Sequence, residues 1–227
     1  MPNWCENRVT IIGAPAQIER LLEEAKGSKS RFSLQSLVPC PKLLLEATSG
    51  SYEMGYEVKY GHWGDVASYP WMVEANGGEP ILTREVALRV LEEIRPEFLE
   101  HADAYKANVD QHGYTSWYEW CCDNWGTKWD IRVEGIEEAE TNAPNEAIQF
   151  CFDSAWAPPL AAFRSISEKY PELIFQVEFY EEGMDFLGVH EYVAGELTEQ
   201  DEGTCSSDAE RFEFAPEPEE DWEDEEE

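Results

Sequence analysis

Basic residues are scarce in this chain. Sixteen Lys and Arg stand against 49 Asp and Glu, a formal charge of −33. Binding to a nucleic-acid backbone rests largely on Lys and Arg contacts to phosphates, so direct nucleic-acid binding is not expected. Long apolar runs are missing too: no stretch reaches the length that spans a bilayer, which argues against a membrane partner. The opening residues 1–8 carry no apolar signal-peptide core, so a cytoplasmic location is expected. Cys-x-x-Cys pairs are absent. The six cysteines, at 5, 40, 121, 122, 151 and 205, fit no disulfide framework, zinc finger or iron–sulfur spacing. They read as reduced, mostly buried small apolar residues. Finally, there is no Gly-x-Ser-x-Gly, no His-Glu-x-x-His and no glycine-rich phosphate loop.

These absences bear on chemistry. His101, His112, Cys121 and Cys122 are the cluster with metal-ligand chemistry, but their spacing matches no compact zinc motif. No metal and no cofactor are expected. His190 falls in an alternating strand pattern and reads as a sheet-face residue. With so many carboxylates, chance pairs carry no meaning, and the chain is expected not to be an enzyme.

What the chain does have is aromatic residues, 13% of the total, with four of nine tryptophans between Ser116 and Asp130. Ser116 followed by Glu119 is a capping box and starts a helix. Tyr114, Trp117, Tyr118, Cys121 and Trp125 fall at helical spacing, giving an aromatic face. Gly126 is placed to end the helix in a left-handed turn. Lys128 to Glu134 then alternates like a half-buried strand. The stretch reads as a packing hub, with Trp117 and Trp125 expected to be largely buried.

Taken in order, Arg8 to Ile12 reads as a strand, Pro15 to Ala25 as a helix striped by Ile18, Leu21 and Leu22, and Phe32 to Pro39 as a second strand. Residues 40–113 loosen: Pro39, Pro41, Pro70 and Pro80 mark loops around one firm helix from Arg84 to Ile94, capped by Thr83. This span reads as a partly helical insertion. After the centre come a strand at 147–152, a helix opened by Ala157-Pro158-Pro159, and two strands, 173–180 and 186–193, joined by a hairpin turn. The expected fold is α+β: a mostly antiparallel sheet with helices on one face. Residues 1–195 form one domain. Residues 196–227 hold 16 acids and one base and are expected to be a disordered acidic tail.

Three motifs resemble a known family. Met-Pro-Asn-Trp-Cys-Glu-Asn-Arg-Val-Thr at 1–10 is similar to the N-terminal signature of the YubB-type ferredoxin-like proteins of bacteriophages and conjugative plasmids. Trp125 to Asp130 resembles the second signature, and Ser154 to Pro159 with Tyr180 to Gly183 the third. The resemblance implies a ferredoxin-like sandwich and a mobile-element origin, without a mechanism.

Two functional readings remain. In the first, the acidic surface and tail capture a basic host or phage protein, with Phe212, Phe214 and Trp222 as aromatic anchors. In the second, Trp120, Asn124, Lys128, Trp129 and Trp156, around the Trp117–Trp129 centre, line a pocket for a planar or cationic ligand of a binder or enzyme. Stacking of RNA on Phe150, Phe152, Phe175, Phe179 and Phe186 is disfavoured by the charge and by the lack of an RNP-type run.

Overall fold

The structure, a computed structural model, describes residues 3–139 and 146–212. Its elements in chain order begin with β1 (Trp4–Gly13), α1 (Pro15–Ala25), α2 (Leu34–Leu37), α3 (Lys42–Glu46), α4 (Met54–Lys59) and α5 (Trp63–Ala67). Then come α6 (Pro70–Ala75), α7 (Arg84–Ile94), α8 (Pro96–Glu100), α9 (Ala102–His112) and α10 (Trp117–Trp125). The remainder is β2 (Glu137–Ala139), β3 (Glu146–Ala155), α11 (Leu160–Lys169), β4 (Ile174–Glu181), β5 (Phe186–Val193), β6 (Glu196–Gly203) and α12 (Cys205–Asp208). The chain divides into two compact units: Met1–Pro39 with Asp123–Glu227, and Cys40–Cys122, where the sequence suggests an insertion of 40–113.

The first unit is built on a six-stranded sheet of order β2-β3-β1-β4-β5-β6, antiparallel at every pairing. β3 and β4 both run against β1, so they are parallel to each other with β1 between them. With α11 as crossover they make a split β-α-β unit. Burial alternates strictly along β1: Cys5, Asn7, Val9 and Ile11 are buried, while Trp4 and Glu6 are exposed and Arg8 and Thr10 half-buried. The buried face meets the helices. Phe32 packs on Phe150 at 4.8 Å between ring centroids and on Phe163 at 5.9 Å, and Phe163 reaches Phe175 at 6.4 Å. Phe150, Phe152, Phe175 and Phe179 are therefore core residues rather than a stacking platform, and Phe186 is half-buried.

Three elements differ from the sequence expectation. Phe32 to Pro39 is not a strand: it contains α2. Ser33 caps that helix by accepting from the Ser36 amide, and the Asp130 carboxylate accepts from the Leu34 amide at 2.6 Å. The expected alternation over Lys128 to Glu134 holds only from Asp130, Ile131 and Val133 being buried and Arg132 and Glu134 exposed, while Trp129 is exposed; the segment joins no sheet ladder. Its backbone bonds go elsewhere, Val133 O accepting from the Arg31 amide at 2.9 Å. Third, residues 196–203, expected to begin a disordered tail, form β6 against β5. Ala194 at φ 50° and Gly195 at φ 84° make a two-residue turn of positive φ, the geometry that closes hairpins. Backbone pairing then needs no apolar side chains, and β6 is exposed along nearly its whole length. Phe214, Trp222 and the rest of 213–227 lie outside the described residues.

The second unit holds a run of short helices, α3 to α9, where the sequence suggests one firm helix. Of the prolines read as loop markers, Pro39 and Pro80 do lie between helices, whereas Pro41 and Pro70 stand at helix starts, as does Pro96. Pro70 and Pro96 occupy first-turn positions and Pro41 an N-cap, where a missing N–H costs nothing. Val58, Val66, Met72, Val90 and Leu91 form its core. α7 is capped by Thr83 as expected, its hydroxyl accepting from the Val86 amide at 3.4 Å.

Candidate functional site

The segments that carry the family-like motifs converge at one end of the sheet. The register sets Trp4 beside Ala155, and the Trp156 amide donates to Asn3 O at 3.0 Å. Buried Asn7 donates through Nδ2 to Cys5 O at 2.7 Å and to Ser154 Oγ at 2.8 Å, and Ser154 Oγ donates to Ala157 O at 2.8 Å. Trp125 is 2% exposed and its indole N–H donates to Val38 O at 2.8 Å. Gly126 follows at φ 85°, and a Cβ there would stand 3.1 Å from Pro158 O. Thr127 Oγ1 then donates to Ala155 O at 3.0 Å. On the next strand, buried Glu181 accepts from the Gly183 and Met184 amides at 2.9 and 2.7 Å and fixes the β4–β5 turn. The Asn3 amide occupies the space a Cβ on Gly183 would need. These contacts are structural. They hold three exposed indoles at this end: Trp4 at 52%, Trp129 at 40% and Trp156 at 47%.

Between this scaffold and the outer edge of β3 lies a cleft of about 530 Å³, lined by Trp4, Trp129, Asp130, Arg132, Glu134 and the β3 residues 151–155. The Trp4 and Trp129 rings are 6.1 Å apart and tilted by 43°. The Lys128 ammonium lies 4.6 Å from the Trp129 ring centroid, a cation–π contact. Asp130 accepts from Ser33 Oγ at 2.6 Å and from the Ile131 amide at 2.9 Å, and Arg132 pairs with Glu134 at 3.1 Å. Desolvation by burial pushes the Cys5 thiol up to about 12. Burial likewise raises Cys151, against the lowering effect of Arg8. Neither thiol is a thiolate nucleophile at neutral pH. A second cleft, of about 660 Å³, lies between α1 and the β2–β3 strands, lined by Ile18, Leu22, Ala147 and Ile148 among acidic residues.

The sequence-derived site residues are only partly brought together. Lys128 and Trp129 are in contact. Trp156 sits just beyond β3, at φ 72°, a conformation that bulky side chains rarely adopt. Asn124 is half-buried near the end of α10. Trp120 belongs to the second unit and is 9% exposed, so it presents no open ring. The buried face of α10 is Trp120, Cys121 and Trp125, about one residue round from the predicted stripe. Trp117 is half-buried rather than buried, and Tyr118 is exposed. Phe212 is half-buried, with the Arg211 guanidinium 5.3 Å from its ring. Among the described residues no group of three or more His, Cys, Asp or Glu could hold a metal ion. His190 is buried beneath the helix layer, within 3.0 Å of the Tyr192 hydroxyl and 2.6 Å of Glu202. Of the cleft lining, sequence reasoning picked out only Trp129; it missed Trp4, Asp130, Arg132, Glu134 and the β3 residues 151–155. A signal existed for Trp4: with Cys5, Asn7, Val9 and Ile11 facing the core, period-two alternation puts it on the opposite face with Glu6.

No curated protein matches the sequence. Among solved structures, the crystal structure of a protein api92 from Yersinia pseudotuberculosis is similar at 13% identity and a TM-score of 0.45, over 89% of this chain and 98% of that one. Residues 128–226 match the family model described as the ferredoxin-like domain in Api92-like protein. The matched span takes in β2 to β6 and α11, and this part of the chain carries a ferredoxin-like domain.

Proposed function

We propose that the chain is a non-enzymatic binding module of a phage or plasmid, working in the cytoplasm by engaging a basic host or phage protein through its acidic surface. The observation that supports this best is β6. Its residues Glu196, Glu199, Asp201 and Glu202 are exposed on both faces of an edge strand. Nearby Arg211 is already engaged by Asp201 and Asp208. An edge strand with such charges is guarded against self-association and stays attractive to cations. The surplus of 49 acids over 16 bases extends this potential across the chain.

The test is affinity capture from host lysate with the full chain, followed by salt elution and mass spectrometry. Basic partners are expected, released as the ionic strength rises past about 0.3 M, where the screening length falls to about 5–6 Å. Capture dominated by acidic proteins, or by proteins indifferent to salt, would overturn the reading.

A further inference from the structure

The inference here rests on that reading and names where, and in what form, a basic partner docks. β3 outruns its outer neighbour. β2 pairs with Ala147 to Gln149, so among the described residues no strand flanks Cys151 to Ala155 on that side. The direction of the backbone groups follows from two bonds. The Trp156 amide reaches Asn3 on the β1 side, and Ala155 O accepts from Thr127 on the other. Main-chain groups alternate in direction along a strand, so the N–H and C=O of Cys151 and Asp153 point outward, away from β1.

Continued past Glu137, the β2 register would bring Val133 opposite Asp153. The chain departs instead. The Val133 amide donates to Ser30 Oγ at 2.8 Å and its carbonyl accepts from the Arg31 amide. The cleft of about 530 Å³ opens where a ladder would have closed. Its edge of five residues is about 17 Å long at the usual rise per residue. Three carboxylates, Asp130, Glu134 and Asp153, line it against one guanidinium, Arg132, which Glu134 already pairs. The exposed rings of Trp4 and Trp129 stand beside it, and Trp129 already carries one ammonium on its ring, that of Lys128.

We propose that this edge receives an extended Lys- or Arg-bearing segment of the partner as an added strand. Main-chain bonds form to Cys151 and Asp153, and alternate cationic side chains lie over Trp4 and Trp129 and beside Asp153. The β6 strand, though acidic, carries no aromatic residue of its own, and its Asp201 is already paired with Arg211.

The probe is a capped seven-residue peptide alternating arginine and valine, titrated into the full-length protein. It is compared with the same peptide N-methylated at alternate backbone nitrogens and with a glutamate-for-arginine version. Binding by the arginine peptide should slow hydrogen exchange at the Cys151 and Asp153 amides. N-methylation should weaken it about tenfold, through loss of about two main-chain bonds. Trp129→Ala and Trp4→Ala should each weaken it by about two- to fivefold. Asp153→Lys, at an exposed position, should also weaken it, and serves where a tryptophan variant fails to fold. Equal binding of the N-methylated peptide, or protection confined to β6, would overturn the added strand while leaving capture of basic partners intact. Binding of the glutamate peptide as tightly as the arginine one would overturn both.

Discussion

Gly126 is the residue where backbone freedom is needed most at this end of the sheet. It sits at φ 85°, and an added Cβ would meet Pro158 O at 3.1 Å and the Leu160 amide nitrogen at 3.3 Å, both main-chain atoms with little room to move. Gly126→Ala is expected to cost about 1–2 kcal/mol, from the left-handed conformation together with the crowding. Urea denaturation measures it, and an unchanged midpoint would show that the turn relaxes freely. This residue was legible in the sequence because a glycine after an aromatic helix has one common use. Trp156 was not: nothing local announces a tryptophan at φ 72°, since the conformation is imposed by the turn between β3 and α11 and by the bond from its amide to Asn3. The burial of Trp120 over Trp117 was misread for a related reason. In a helix where most positions are aromatic or sulfur-bearing, periodicity alone does not choose the buried face.

At the scale of elements, sheet and helix order followed from pattern wherever partners were close in sequence, as in α1, α7, α11 and the β4–β5 hairpin. Pattern failed where a distant side chain decided the outcome. Phe32 to Pro39 alternates like a strand, yet α2 forms because Asp130, nearly a hundred residues on, accepts from the Leu34 amide at 2.6 Å and from Ser33 Oγ at 2.6 Å. Asp130→Ala removes these acceptors from a helix start and is expected to cost about 1–2 kcal/mol. The same denaturation experiment checks it. A loss below a few tenths of a kcal/mol would mean that Ser33 caps α2 by itself. β6 was hidden by composition: its acids read as a tail, while the Ala194-Gly195 turn that pairs it with β5 was a legible signal left unused. The cleft was half legible for a matching reason. Lys128 and Trp129 stood out locally, but Trp4 and Asp153 join them only through the β1–β3 register.

For the molecule as a whole, the question is which part of the −33 charge does the steering. Because β6 is a paired strand, removing 196–227 would strip an edge of the sheet as well as charge, and the informative cut falls after Phe212. Residues 213–227 hold ten acids and no base, so this cut removes charge and leaves every described element in place. If long-range attraction draws in a basic partner, association with the cut chain should slow by about three- to tenfold at low ionic strength. The rates of the two chains should converge near 0.5 M salt, where the screening length shrinks to about 4 Å. If the contacts that hold the complex lie on the body, as proposed, dissociation should change far less. Stopped-flow association at two salt concentrations reads both effects. A tail that supplied anchors through Phe214 and Trp222 would behave differently: its loss would speed dissociation and persist at high salt, since apolar burial is not screened. Equal rates for both chains at both salts would remove residues 213–227 from the mechanism and place the whole of recognition on the described body, where the proposed docking surface is the tryptophan cleft at the β3 edge.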